Sequence, residues 1–247
     1  MEQDEYLRLA AVEDRMWYFR ALHGHVRHAL DGMNRSGGMR VLDAGCGTGG
    51  LIRRMATERP SWQWSGVDLS PLAIALARGR CPAGADLREA AVTALPWGEA
   101  AFDAVVSADV LYHVDDDAAA LREFFRVLRP GGRLVLNVPA YRWLWSYHDV
   151  AVHSRRRYHR GEMVGKLQAT GFAVGRATYW NTLLFPLIVV RRKLLPAPRT
   201  GGDVQLSAAP LEAAYRAVMA AERGWLRAGR LPFGSSLFAV AAKPGEK

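Results

Sequence analysis

The stretch Val41-Leu42-Asp43-Ala44-Gly45-Cys46-Gly47-Thr48-Gly49-Gly50 packs an apolar lead-in, an acid and four glycines into ten residues. A strand that ends in Asp and runs straight into a glycine turn lets the backbone approach a ligand closely, because glycine has no Cβ. Leu51 to Glu58 then reads as a helix whose unpaired N–H groups face the same place. Gln63 to Asp68 reads as the next strand, and an acid at its end is placed to accept hydrogen bonds from both hydroxyls of a ribose. Asp43 and Asp68 together point to a nucleoside ligand.

Gly45, Gly47 and Gly50 also satisfy a G-x-G-x-x-G dinucleotide fingerprint, so the turn alone leaves the nucleoside open. The full string resembles the D/E-x-G-x-G-x-G motif of class I S-adenosylmethionine-dependent methyltransferases, with Asp43, Gly45, Gly47 and Gly49 at its four named positions. Charge separates the two ligands. A carboxylate at Asp43 repels a dinucleotide phosphate and attracts the cationic amino-acid end of S-adenosylmethionine. The resemblance extends from about Arg40 to Val138 and is to small-molecule members with ubiquinone-biosynthesis-like core motifs; past Val138 it is loose.

That resemblance implies roles for individual residues. Asp43 and the turn lie by the methionine moiety, Asp68 on the ribose and Leu69 against adenine. The family's acid beside the adenine amine precedes a Leu-Pro-aromatic triplet, here Leu95-Pro96-Trp97, and its place is taken by Ala91. Backbone groups of Ala91 and Val92 are left to read the adenine edge. Ala108 is the expected cofactor neighbour after the fourth strand. Trp17 and Arg20 resemble an aromatic-Arg segment that some relatives fold over the cofactor, with Arg20 on its carboxylate; the alternative is a helix packed on the sheet.

Strand-like and helix-like segments alternate along the chain, as expected of a parallel sheet covered on both faces. An N-terminal helical region covers about Tyr6 to Leu30, and Ser36-Gly37-Gly38 breaks before the strand Arg40 to Asp43. Ser70-Pro71 opens a helix as cap and first-turn proline. Leu87 to Ala91, Phe102 to Ser107 and Arg133 to Val138 read as strands. Leu121, Phe124, Phe125 and Leu128 form a helical stripe that Pro130-Gly131-Gly132 ends. Later come a helix over Glu162 to Thr170, a strand over Phe172 to Tyr179, a Pro/Gly-rich loop over Pro196 to Ala209, a helix over Leu211 to Ala228 and a strand over Ser236 to Ala241.

The expected fold is α/β: a Rossmann-like seven-stranded sheet with helices on both faces and an N-terminal helical lid. The family implies an antiparallel seventh strand between the fifth and sixth. The whole chain, 1–247, reads as a single methyltransferase domain: a helical extension at 1–36, a cofactor-binding core at 37–140, substrate-binding insertions at 141–230 and the last strand at 231–247.

Half of the 247 residues are apolar, enough for a sizeable core. The formal net charge of +9 points to an anionic substrate, a nucleic acid or transient contact with an acidic membrane surface, against a merely solvated basic face. Cys46 and Cys81 lack metal-ligand spacing, so no metal site is expected and a reducing cytoplasm is. The first residues lack the apolar core of a secretion signal, and the longest apolar run, Leu183 to Val190, is too short to span a bilayer.

After Val138 aromatic and cationic residues interleave: Tyr141, Trp143, Trp145 and Tyr147, then His153, Arg155, Arg156, Arg157 and Tyr158. A loop at the carboxyl ends of parallel strands is where such folds put ligands. Tyr112, Tyr141, Trp145, His153, Arg156, Arg157, Tyr158, Tyr179 and Asn181 are the candidate substrate residues, an aromatic wall for an apolar body with Arg or His for an anionic head. His113, Tyr141 and His148 are the candidate catalytic residues, with His153 a further possible base. Arg191, Arg192 and Lys193 beside the apolar run extend this to C-methylation of an isoprenoid diphosphate, whose carbocation Tyr and Trp faces stabilise. Alternatives are O- or N-methylation of a phenol, carboxylate or amine, a nucleic-acid methyltransferase, and a non-catalytic cofactor-binding protein. Asn137-Val138-Pro139-Ala140-Tyr141 departs in place and content from the Asn-Pro-Pro-Tyr motif of amino-methylating nucleic-acid enzymes, which disfavours nucleic acid.

Overall fold

The computed structural model describes residues 3–33, 38–197 and 204–245. Seven strands are found among them: β1 (Arg40–Ala44), β2 (Gln63–Asp68), β3 (Asp86–Glu89), β4 (Phe102–Ala108), β5 (Leu128–Pro139), β6 (Ala173–Trp180) and β7 (Ser236–Ala242). They form one sheet in the order β3-β2-β1-β4-β5-β7-β6. All pairings are parallel except those of β7, which runs antiparallel to both β5 and β6. The carboxyl ends of β1, β2, β4, β5 and β6 therefore share one edge.

The helices are α1 (Gln3–Val12), α2 (Trp17–Asp31), α3 (Gly50–Glu58), α4 (Pro71–Arg78), α5 (Asp117–Val127), α6 (Tyr147–Ala151), α7 (Arg160–Ala169), α8 (Phe185–Lys193) and α9 (Ala209–Ala228). Side chains alternate across a strand, and the two cores follow that alternation. Leu42, Val105, Leu134, Leu136 and Leu237 pack with α5 and α7 on one face. Val41, Ala104, Val106, Val135 and Phe238 pack with α2, α3, α4 and α9 on the other.

Local signals act as expected at several ends. Ser70 Oγ accepts from the Ala73 amide at 3.3 Å with Pro71 in the first turn, and Asp116 caps α5 through the Ala119 amide at 2.8 Å. Three boundaries differ. The N-terminal helical region is two helices, because the chain breaks between Val12 and Trp17. Pro130-Gly131-Gly132 lies inside the β5 segment instead of ending α5, since Gly131 N–H donates to the Lys243 carbonyl and Lys243 N–H to the Gly132 carbonyl, each at 2.9 Å. β3 ends at Glu89, two residues short of Ala91. Ser36-Gly37 and the middle of the 196–209 loop lie outside the described residues.

Candidate active site

Asp43 pairs in register between Gly66 of β2 and Val106 of β4. It is 3 % exposed. Burial, with Glu13 and Asp68 adding repulsion, pushes its carboxyl up to about 8. No hydrogen bond reaches that carboxyl among the described residues. After it, Gly45, Gly47 and Gly49 all have positive φ, 90°, 52° and 83°. At Gly45 the requirement is double, because a Cβ there would also collide with the Val110 side chain.

Asp68 closes the turn from the next strand. Its Oδ2 accepts from the Gly47 amide at 2.9 Å and its Oδ1 from the Ser70 amide at 3.0 Å. Tyr6 of α1 donates to Oδ1 from 3.3 Å, a long bond that a ribose hydroxyl can replace. Leu69 is 72 % exposed beside it, and Ala91 and Val92 follow β3, with the Ala90 amide on the Asp68 carbonyl at 3.1 Å. Ala108 ends β4 opposite Asn137. A buried carboxyl without a donor, a left-handed glycine backbone and an acid on the next strand fit a cationic nucleoside such as S-adenosylmethionine.

The segment over the turn is not the expected one. Leu9 faces Gly47, and Glu13 lies against Gly50, where it accepts from Thr48 Oγ1 and Arg80. Trp17 instead turns to α9, donating its amide to Glu212 at 2.9 Å and packing its ring on Tyr215 at 5.4 Å. Arg20 is exposed and borders a cavity of about 300 Å³ with His23, Arg53, Arg54 and Thr57. Cofactor contact by Trp17 and Arg20 thus finds no support in this arrangement, whereas Tyr6, Leu9 and Glu13 of the N-terminal segment lie at the turn.

Beyond the turn, three residues at the carboxyl ends of β4, β5 and β6 have positive φ: Asp109 after β4 (59°), Tyr141 after β5 (60°) and Asn181 after β6 (60°). Left-handed non-glycine residues are uncommon and cluster at functional sites. Asp109 accepts from Tyr18 Oη at 2.9 Å and from Asn137 Nδ2 at 2.8 Å. Asn137 in turn accepts from the Trp180 indole at 2.7 Å. Burial raises the Asp109 carboxyl to about 6 against the lowering effect of the two donors. Tyr112 is near enough that Asp109 adds to the burial that raises its phenol. Sequence reading missed Asp109; its signal was only its place two residues after Ser107 in the apolar β4 run.

His113 sits one turn on, its ring 4.0 Å from that of Tyr112 and its Nδ1 3.5 Å from the His153 carbonyl. Burial lowers it to about 4, which leaves a neutral, weak base. Tyr141 stacks on Tyr179 at 4.9 Å and meets Trp143 at 5.8 Å, with Phe185 and Phe233 continuing the aromatic wall. Asn181 donates to Ser235 Oγ at 2.8 Å, and its buried Oδ1 has no donor. His148 is in α6, and His153 is exposed with positive φ.

The basic cluster is deployed differently from the expectation of an anion site. Arg157 is 1 % exposed, forked onto Asp149 at 2.6 and 3.1 Å and onto the Ala140 carbonyl at 2.9 Å. Tyr158 is fully buried and donates to Asp117 at 2.8 Å. Arg156 donates to the Asp115 carbonyl at 2.7 Å, and Arg155 pairs with Asp115. Arg157 and Tyr158 hold the loop to the sheet; neither is presented to a substrate. Trp145 is 37 % exposed beside α8.

Residues 42–136 match a family model described as a methyltransferase domain. A demethylmenaquinone methyltransferase of Thermus thermophilus is 39 % identical over 113 residues, 44 % of this chain and 51 % of that protein. A probable S-adenosylmethionine-dependent methyltransferase of Mycolicibacterium smegmatis is 32 % identical over 168 residues, 66 % of this chain and 62 % of that protein. The chain thus spans between about half and three-fifths of these curated relatives. Among solved structures, the putative methyltransferase in a complex with the Haloferax volcanii Trm112 activator has the same fold, with a TM-score of 0.65 at 22 % identity over 97 % of this chain and 98 % of that one. With the glycine turn, Asp43, Asp68 and the β7 insertion, these likenesses support a class I S-adenosylmethionine-dependent methyltransferase.

Proposed function

We propose that the chain transfers a methyl group to an oxygen, nitrogen or phenol-activated carbon of a small molecule with an apolar body, in the cytoplasm, and that Asp109 is the base. S-adenosylmethionine, when bound at Asp43 and Asp68, supplies an electrophilic methyl. The observation that carries the reading is the Asp109 carboxyl: raised to about 6, held by Tyr18 and Asn137, and one residue beyond Ala108. A base tuned near the working pH is suited to proton removal, and His113 at about 4 is a weaker one. Tyr18 and Asn137 fix the carboxylate, so the acceptor's proton passes to an oriented oxygen while Tyr141 and Tyr179 hold the apolar body. Alignment supplies much of the acceleration in such a displacement.

C-methylation of an isoprenoid diphosphate is the weaker reading, because Arg157 is buried and engaged by Asp149 rather than open to an anionic head. The test is formation of S-adenosylhomocysteine with a panel of phenols, quinols, amines, carboxylates and prenyl diphosphates. For an accepted substrate, Asp109→Asn lowers kcat about 100-fold or more. The wild-type rate rises with pH through about 6 and then levels, because the carboxylate is the active form; the variant lacks that limb. Cofactor affinity stays unchanged. Turnover confined to prenyl diphosphates, or an Asp109→Asn enzyme of normal rate, overturns the proposal.

A further inference from the structure

α8 contains Phe185, Leu187, Ile188, Val189 and Val190, yet none of its residues is buried. Leu187, Val190 and the C-cap Leu194 follow one another at steps of three and four and share one face of α8, and Leu183 lies in the turn just before the helix. Each is exposed, Leu194 to 75 %. The loop after β5 runs alongside. Trp143 meets the Phe185 ring edge-on at 6.0 Å, and Lys193 Nζ donates to the Trp145 carbonyl at 2.8 Å. Trp143 is itself 50 % exposed. Phe185 lies on the side of α8 opposite Leu187, Val190 and Leu194, so the indole side backs the helix and the leucine-valine stripe faces outward; exposed apolar surface of this kind marks an interaction site.

Its rim is cationic. The last turn of α8 carries Arg191, Arg192 and Lys193, and the helix has no acid. Arg191 lies 5.0 Å over the Tyr147 ring, and Arg142 beside Trp143, paired with Glu162 at 3.3 Å, has a 72 % exposed side chain. An apolar stripe with a basic margin is the pattern of a helix lying in a membrane interface. A second copy of the chain would present the same cations to this face, whereas anionic headgroups complement them.

We propose that this surface docks on an anionic lipid bilayer, α8 lying in the interface plane with Leu183, Leu187, Val190 and Leu194 toward the acyl chains. On the opposite side of the helix Phe185 packs on Tyr141 and Phe233, so the docked helix is backed by the aromatic wall of the site. Resting on the proposed apolar-bodied acceptor, the geometry narrows the substrate to one drawn from the lipid layer.

Co-sedimentation with vesicles tests the docking without any catalysis. With phosphatidylcholine vesicles containing about one-third phosphatidylglycerol, the full chain binds about tenfold or more tightly than with phosphatidylcholine alone, and added salt weakens binding. Leu187→Glu with Val190→Glu reduces binding about tenfold or more. Leu194→Asp, at the most exposed position, is the second variant should the first fail to fold. Absence of vesicle binding, equal binding by folded variants, or a dimer in sedimentation equilibrium that these substitutions dissolve overturns the proposal. Calorimetry of S-adenosylmethionine on the same samples keeps the two readings apart: loss of cofactor binding in the unaltered chain sinks the enzyme assignment and says nothing of docking.

Discussion

Asp43 is costly to the cofactor-free chain and useful only when a cation arrives. Its folded value of about 8 stands above the ordinary 3.8 through burial, Glu13 and Asp68. Between those values the folded state holds a proton that the unfolded state has released. The resulting stability is present below the ordinary value and lost as pH rises through about 8. Chemical denaturation of the cofactor-free chain therefore shows stability falling from about pH 5 to above pH 8, a component that Asp43→Asn removes. S-adenosylmethionine reverses the preference, because its ammonium favours the carboxylate. Its affinity rises with pH up to about 8, with proton release measurable by calorimetry in buffers of different ionisation enthalpy. Asp109 shows the same physics displaced: its donors Tyr18 and Asn137 offset part of the burial and leave it at about 6.

At the scale of elements, the aromatic-basic segment after β5 is a folded clasp. Ser146 and Asp149 form a reciprocal cap at the start of α6, and the same Asp149 receives the Arg157 fork from beyond the helix. Both side chains are 1 % exposed. Removing one partner of a buried pair leaves the other charged and unpaired, so Asp149→Ala destabilises the chain by about 3–5 kcal/mol in urea unfolding. Replacing both by apolar residues of similar volume costs far less. The clasp sets the backbone of Tyr141, whose amide donates to the Tyr158 carbonyl at 3.0 Å, and thereby the angle of the aromatic wall.

Over the whole molecule, α1 and the turn after it couple the N-terminal segment to the glycine turn through Tyr6, Leu9 and Glu13. A ligand at 100 times its Kd stabilises a fold by about 2.7 kcal/mol, or about 5–10 °C in Tm for a chain of this size. S-adenosylmethionine at that excess gives such a rise. A chain lacking residues 1–15 keeps the sheet and shows a smaller rise at the same concentration, since Tyr6 and Glu13 no longer cover the turn.

The glycine spacing and the two acids were legible in the sequence because backbone conformation and charge are local: only glycine suits the left-handed turn, and an acid at a strand end can serve only what lies beyond that end. The strand order followed from the family likeness, and alternation of apolar segments supported it. Roles that depend on what a side chain meets were not legible. Arg157 and Tyr158 read as ligands and are buried ties, because a partner eight or forty-one residues away decides whether a polar group faces solvent or core. Trp17 and Arg20 gave way to Tyr6 and Glu13 because the break after Val12, and not composition, directs which helix crosses the turn. Sequence by itself determined the glycine turn and its two flanking acids, through local backbone chemistry and charge, and the family likeness they carry supplied the cofactor and the strand order. Only the tertiary structure decided which carboxyls are raised by burial and which apolar face stays open, since burial and proximity are properties of the packed chain.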